Sequence, residues 1–326
     1  MQKSFVRLGN AFIHPKRTAK AIPQGTRRLF RKLDRYATKI VEAINGDDEQ
    51  DPNAIGEEDP SSSAQKAAVW LARKYGGVGS KLRNRARDVG VDPYTSNEIL
   101  AAELERLSRA ESVGSVTSKF LMPAMIGPMG LMADAANLAY VKDWREIFTH
   151  NADLMRGMGV ADELILAFEV SEFYTPMTQA LMVGLLDAME GVEDREVVIQ
   201  QAVLLENESE SLFFLESIML AEWYHRERSP LQRFYLDTLI PVAVNGRGDL
   251  VAFTAADYFY WTPEAAGLAR DFTATYADHP GGRELITADY VSKRARAGVE
   301  AMGWQVTSDL RLTYDVEIPW GRQDHE

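Results

Sequence analysis

The residues best suited to chemistry are Glu222 and His225, an E-x-x-H pair. On a helix, that spacing puts a carboxylate and an imidazole on one face. Two such pairs plus two further glutamates build a carboxylate-bridged di-iron or di-manganese site in a helical bundle. Glu206, Glu208, Glu210 and Glu216 supply carboxylates nearby, but the chain has no second E-x-x-H, and Glu146 and His150 have the wrong spacing. The competing reading is a helix C-terminus, where His225, Arg226 and Arg228 favour the dipole. Glu222, His225 and Glu216 are therefore the metal candidates, and no cofactor is implied.

Other signals of chemistry are weaker. G-x-S-x-G elbows, Walker A loops and a G-x-G-x-x-G after a strand are absent. The run Gly76-Gly77-Val78-Gly79-Ser80 lacks the lysine and the preceding strand of a phosphate loop and reads as a hinge. Arg247-Gly248-Asp249 spells an adhesion tripeptide, yet these residues also suit a hairpin tip. Trp223, Tyr258, Tyr260 and Trp261 can line a ligand pocket, since Tyr and Trp combine apolar area with a polar handle; they can equally pack as core. The chain has no cysteine, which excludes disulfides, thiolate catalysis and cysteine-ligated metal sites.

Charge is distributed unevenly. Residues 1–45 hold 11 Lys/Arg and 2 Asp/Glu; the first 91 residues carry +8 and the remainder −20. Over Gln24–Ile44, Leu29, Phe30, Leu33, Ile40 and Ile44 recur at helical spacing, with Arg27, Arg28, Arg31, Lys32, Arg35 and Lys39 largely off that stripe. Such a helix can lie on an anionic membrane, bind nucleic acid, or dock on a protein partner or on its own body. Asp187–Glu222 offers the last option, with ten acidic residues and only Arg195 as a base. The acidic remainder argues against nucleic acid, because its field repels phosphate.

These signals need elements to carry them. The expected fold class is mainly α: a compact helical array with a small α+β C-terminal portion containing a β-hairpin. The parts are a basic amphipathic arm (1–46), an acidic linker (47–63), a short basic helix with a Gly-rich hinge (64–91), a helical body (92–228) and the α+β portion (229–326). Body helices are expected from Asn97 to about 108, then over about 141–150, 152–157, 161–170, 173–190, 194–206 and 209–228. Leu239–Asn245 and Asp249–Thr254 read as the hairpin. Helices follow at Pro263–Ala277 and Ala288–Met302, and strands at Trp304–Thr307 and Leu310–Ile318. The apolar stretch 120–141 can be buried core or membrane-embedded; its Pro123, Pro128, Gly127 and Gly130 favour core. The first residues contain no continuous apolar run, so no signal peptide is read.

The landmarks HPKRTAKAIPQGTRRLFRK, VGVDPYTSN, PVAVNGRGDLV, DYFYWT and AMGWQV together resemble an uncharacterised family of bacterial proteins over nearly the whole chain. The resemblance carries no activity, cofactor or site residue. It implies export or a periplasmic location, because longer members look exported. The function expected is a non-enzymatic binding or structural protein acting at a membrane surface or on a protein partner. The alternatives are an enzyme or small-ligand binder, with its site between the body and the C-terminal portion, and a nucleic-acid binder.

Overall fold

The computed structural model describes residues 60–109, 129–235, 240–256, 258–308 and 310. The expected arm helix over 24–44, residues 47–59 of the linker, residues 120–128 of the apolar stretch and the strand expected beyond Leu310 lie outside the described residues. The protein is mainly α with a small α+β C-terminal part. Its helices are α1 (Pro60–Tyr75), α2 (Ser80–Val89), α3 (Glu98–Arg109), α4 (Met129–Val141), α5 (Trp144–Gly157), α6 (Asp162–Glu169), α7 (Pro176–Ala188), α8 (Glu196–Leu204), α9 (Glu208–Glu227), α10 (Pro263–Thr275) and α11 (Lys293–Glu300). The strands are β1 (Leu231–Tyr235), β2 (Val242–Asn245), β3 (Leu250–Thr254), β4 (Tyr258–Phe259), β5 (Arg283–Thr287), β6 (Tyr290–Val291) and β7 (Gln305–Thr307).

Local chemistry starts the helices. Asp143 and Glu146 form a capping box on α5, and Thr175, ahead of Pro176, forms one on α7 with Thr178. Thr262 before Pro263 and Asn207 before Glu208 cap α10 and α9. Asn97 accepts the N–H groups of Ile99 and Leu100 at 3.1 Å, as its position predicts. Two expectations differ. Residues 144–157 form one helix, because Asn151, where a break was expected, is buried within α5. The short basic helix begins at Pro60, inside the segment expected to be linker (47–63).

α9 is the axis of the fold. At 20 residues it spans ~30 Å, and Ser217 through Glu222 are buried without interruption. A helix with no exposed face there must be covered on both sides. The helical body, with α7 against it, covers one side, and the sheet covers the other. α4, the described part of the ambiguous apolar stretch, buries Ala135, Ala136, Ala139 and Tyr140 in the same core. Among the described residues, no helix is long and apolar enough to cross a membrane.

The main sheet has the order β1-β2-β3-β5-β7. β1, β2 and β3 pair antiparallel, whereas β3–β5 and β5–β7 pair parallel. Parallel neighbours require crossovers, and α10 and α11 provide them. Side chains alternate: Ala243, Val251, Phe253 and Ile286 join the core around α9, while Val242, Leu250 and Ala252 pack with Phe272, Val299 and Trp304 on the other face. The expected hairpin is β2–β3. The helix expected over 288–302 is instead β6 followed by α11, which begins where the Ser292 side chain accepts the Ala295 N–H at 3.2 Å. β1 and β5 were not foreseen.

α11 crosses the Trp261 ring at Gly298. A Cβ there would lie 2.4 Å from ring atoms of Trp261. Gly298→Val is therefore expected to destabilise the fold by about 1–3 kcal/mol through overpacking, read as a lower urea midpoint at unchanged m-value.

Candidate functional site

The C-terminal turns of α9 carry the predicted metal candidates. Glu222 is buried; one of its oxygens accepts from Arg226 at 3.3 Å, and the other has no partner among the described residues. Burial pushes its carboxyl above the usual range, against the pull of Arg226. His225 Nδ1 accepts the Leu231 N–H at 3.0 Å. That contact leaves the proton of the neutral ring on Nε2, and burial lowers the histidine's pKa. Glu216 is half-buried two turns earlier on another side of the helix. Among the described residues no group of three or more His, Asp or Glu stands close enough to hold a metal ion.

The same turns carry an arrangement the sequence did not suggest. Tyr224 and Arg228, four residues apart, share a face and meet Glu284, a buried carboxylate on β5. The Tyr224 hydroxyl donates to one Glu284 oxygen at 3.1 Å; Arg228 and the Thr307 hydroxyl donate to the other at 2.7 and 2.9 Å. The Asn245 amide donates to the Tyr224 oxygen at 3.0 Å. Asn245 Oδ1 in turn accepts the N–H groups of Arg247 and Asp249, closing the hairpin tip. The Arg-Gly-Asp stretch is thus tied down: Gly248 has φ 83°, and Asp249 accepts the Gly282 N–H at 2.9 Å. Both Glu284 oxygens are engaged by protein donors, so this carboxylate acts as a clamp between helix and sheet.

The aromatic candidates separate by alternation. Phe259 and Trp261 turn inward onto the cluster with Phe272 and Trp304. Tyr258 and Tyr260 turn outward and stack at 4.2 Å, and Tyr290 lies 4.6 Å from Tyr258 across the β4–β6 pair. These three tyrosines are 47%, 59% and 41% exposed in the order 258, 260, 290. Hydrogen bonding with Tyr260, then partial desolvation and Tyr290, holds the Tyr258 hydroxyl up at about 12. Trp223 packs against the core around α9 and does not belong to this group. A cavity beside α8 and α9, lined by Val197, Val198, Phe214, Phe234 and Tyr235, measures about 10 Å³, room for about one water.

The basic character of the N-terminal third continues into the described residues. On α2, Leu82, Ala86 and Val89 pack down, while Lys81 and Arg87 stay exposed and Arg85 pairs with Asp88 at 3.4 Å. Gly90, with φ 70°, closes the helix in the left-handed conformation, as its lack of a Cβ permits. No protein-family model, curated protein or solved structure matches this chain.

The clamp can be tested by substitution. Arg228→Met is expected to cost about 2 kcal/mol, below the usual figure for breaking a buried pair, because Arg228 is itself partly solvated. Tyr224→Phe is expected to cost about 1 kcal/mol. Both act on the same carboxylate, so a double-mutant cycle by urea denaturation should show non-additivity.

Proposed function

We propose that this chain is a non-enzymatic binding protein that docks on an anionic membrane surface, with an acidic protein partner as the other host, through its basic N-terminal third. The observation that carries this reading is the charge separation: +8 over the first 91 residues against −20 over the rest. A molecule polarised in this way orients in the field of an anionic surface, basic end inward and acidic body outward. α2 lends support, because its apolar side is used within the fold and Lys81 and Arg87 remain available. The alternative reading is an enzyme or small-ligand binder with its site between the helical body and the C-terminal portion; of its candidate residues, Tyr258 and Tyr260 face outward beside Tyr290.

Flotation of the full chain with phosphatidylserine vesicles tests the reading. Co-flotation is expected at low salt, with loss at high salt. Replacing Arg27, Arg28, Arg31 and Lys32 by glutamate should abolish it. Equal flotation of both proteins would refute the role of the basic third. No flotation of either would remove the membrane and leave the acidic partner, for which retention on a polyglutamate resin is the corresponding test.

A further inference from the structure

The two crossovers of the parallel part of the sheet meet over a pair of short strands. β4 lies in the connection from β3 to α10, and β6 in the connection from β5 to α11. They pair parallel, with Tyr258 opposite Tyr290 and Phe259 opposite Val291. The inward residues hold this pair in place. Val291 is buried, and Phe259 and Trp261 pack with Phe272 and Trp304. The Phe259 carbonyl accepts the Ser292 N–H at 3.0 Å, directly ahead of α11. Alternation then sends Tyr258, Tyr260 and Tyr290 out to solvent together.

Tyr258 is the middle ring of the three. It stacks on Tyr260 at 4.2 Å with 29° between the planes, and lies 4.6 Å from Tyr290 at 37°. Its hydroxyl hydrogen-bonds with those of Tyr260 and Tyr290, so the three phenol ends point the same way. The ring carbons ortho to each hydroxyl are brought together with it. Those carbons carry much of the unpaired spin of a phenoxyl radical, and two such radicals join there. The two neighbours of Tyr258 differ in backbone spacing. Paired strands lie about 4.8 Å apart, whereas residues two apart on one strand are about 6.6 Å apart. The cross-strand partner, Tyr290, therefore closes onto Tyr258 with the smaller movement. The chain has no cysteine, so no disulfide ties these two connections.

We propose that Tyr258 and Tyr290 are an oxidative cross-linking site, coupled to dityrosine by a one-electron oxidant of the peroxidase class with hydrogen peroxide as co-substrate. Each phenol loses one electron and its hydroxyl proton. The two radicals form one carbon–carbon bond between their ortho positions. Each ortho hydrogen then moves to the phenol oxygen as the rings regain aromaticity. The peroxide takes up the two electrons and two protons and leaves as two waters. The product ties the β3–α10 connection to the β5–α11 connection and closes a loop through α10 and β5. As with a disulfide, such a link stabilises mainly by restricting the unfolded chain. The site rests on the tyrosine stack alone and is independent of what the basic third binds.

Treatment of the dilute full chain with a peroxidase and hydrogen peroxide tests this, read by dityrosine fluorescence, a denaturing gel and mass spectrometry of tryptic peptides. The expected product is a monomer in which the peptide carrying Tyr258 is joined to the one carrying Tyr290, lighter by two hydrogens than the two together. Tyr258→Phe keeps the ring but not the hydroxyl. It should lower the yield of the joined pair by about tenfold or more, although the same peptide still carries Tyr260, because the held geometry is what favours the coupling. Tyr260→Phe should leave the yield in place. So should Tyr235→Phe, at a tyrosine on β1 that is 41% exposed, like Tyr290, but outside the stack. The coupled protein should show a higher urea midpoint than its untreated form, a rise that Tyr290→Phe lacks. A treated monomer without the joined pair would overturn the site, as would coupling of Tyr258 to Tyr260 as the main product, links formed only between separate chains, or an undiminished yield in Tyr258→Phe. An unchanged midpoint in the coupled protein would overturn the stabilising role of the link.

Discussion

A helix buried on every side must settle its polar atoms inside the protein. α9 meets that constraint only in part: Tyr224 and the following Arg228 bond to Glu284 on the sheet, while one oxygen of the buried Glu222 has no partner among the described residues. Glu284 takes its partners from the end of the helix, through Tyr224 and Arg228, and from β7 through Thr307, while Asn245 on the hairpin donates to the Tyr224 oxygen and joins the same network. An unmade bond in this setting costs more than a made one contributes. The register of the hairpin, the docking angle of α9 and the position of the last parallel strand are therefore mutually dependent.

Much of the helical part was legible in the sequence because its signals are local. Asn97 and Thr262-Pro263 announce helix starts through side-chain oxygens and fixed φ values, whereas α7, expected from about 173, starts at its Thr175 cap. The hairpin was legible for the same reason: Asn245 and Gly248 supply the turn. β5 was not. Its sequence, Arg-Glu-Leu-Ile-Thr, contains a charge that would ordinarily face water, and only the tertiary partners of Glu284 explain its burial. β6 and the start of α11 were merged into one helix because a two-residue strand has no periodicity to read, although Ser292 marks the true start.

The candidate site was read less well. E-x-x-H drew attention to Glu222 and His225, but the intervening Tyr224 and the following Arg228 make the long-range contacts. The aromatic run Tyr258–Trp261 did contain its own answer. Alternation sends residues 258 and 260 one way and 259 and 261 the other, so no single pocket could use all of them. Trp223 could not be placed without knowing which side of α9 meets the sheet.

The chain leaves α9 and enters β1 within a few residues, and one continuous cluster runs from Leu71 through the helices to Ile286 on the sheet. Cutting the polypeptide between Glu227 and Leu231, where secondary structure changes character, would strip α9 of the cover on its strand-facing side. Ala243, Val251 and Phe253 would lose their backing at the same stroke. Each half would present a large contiguous oily surface to water, the condition under which fragments aggregate. The helical body and the sheet therefore belong to one polypeptide that cannot be divided at this junction.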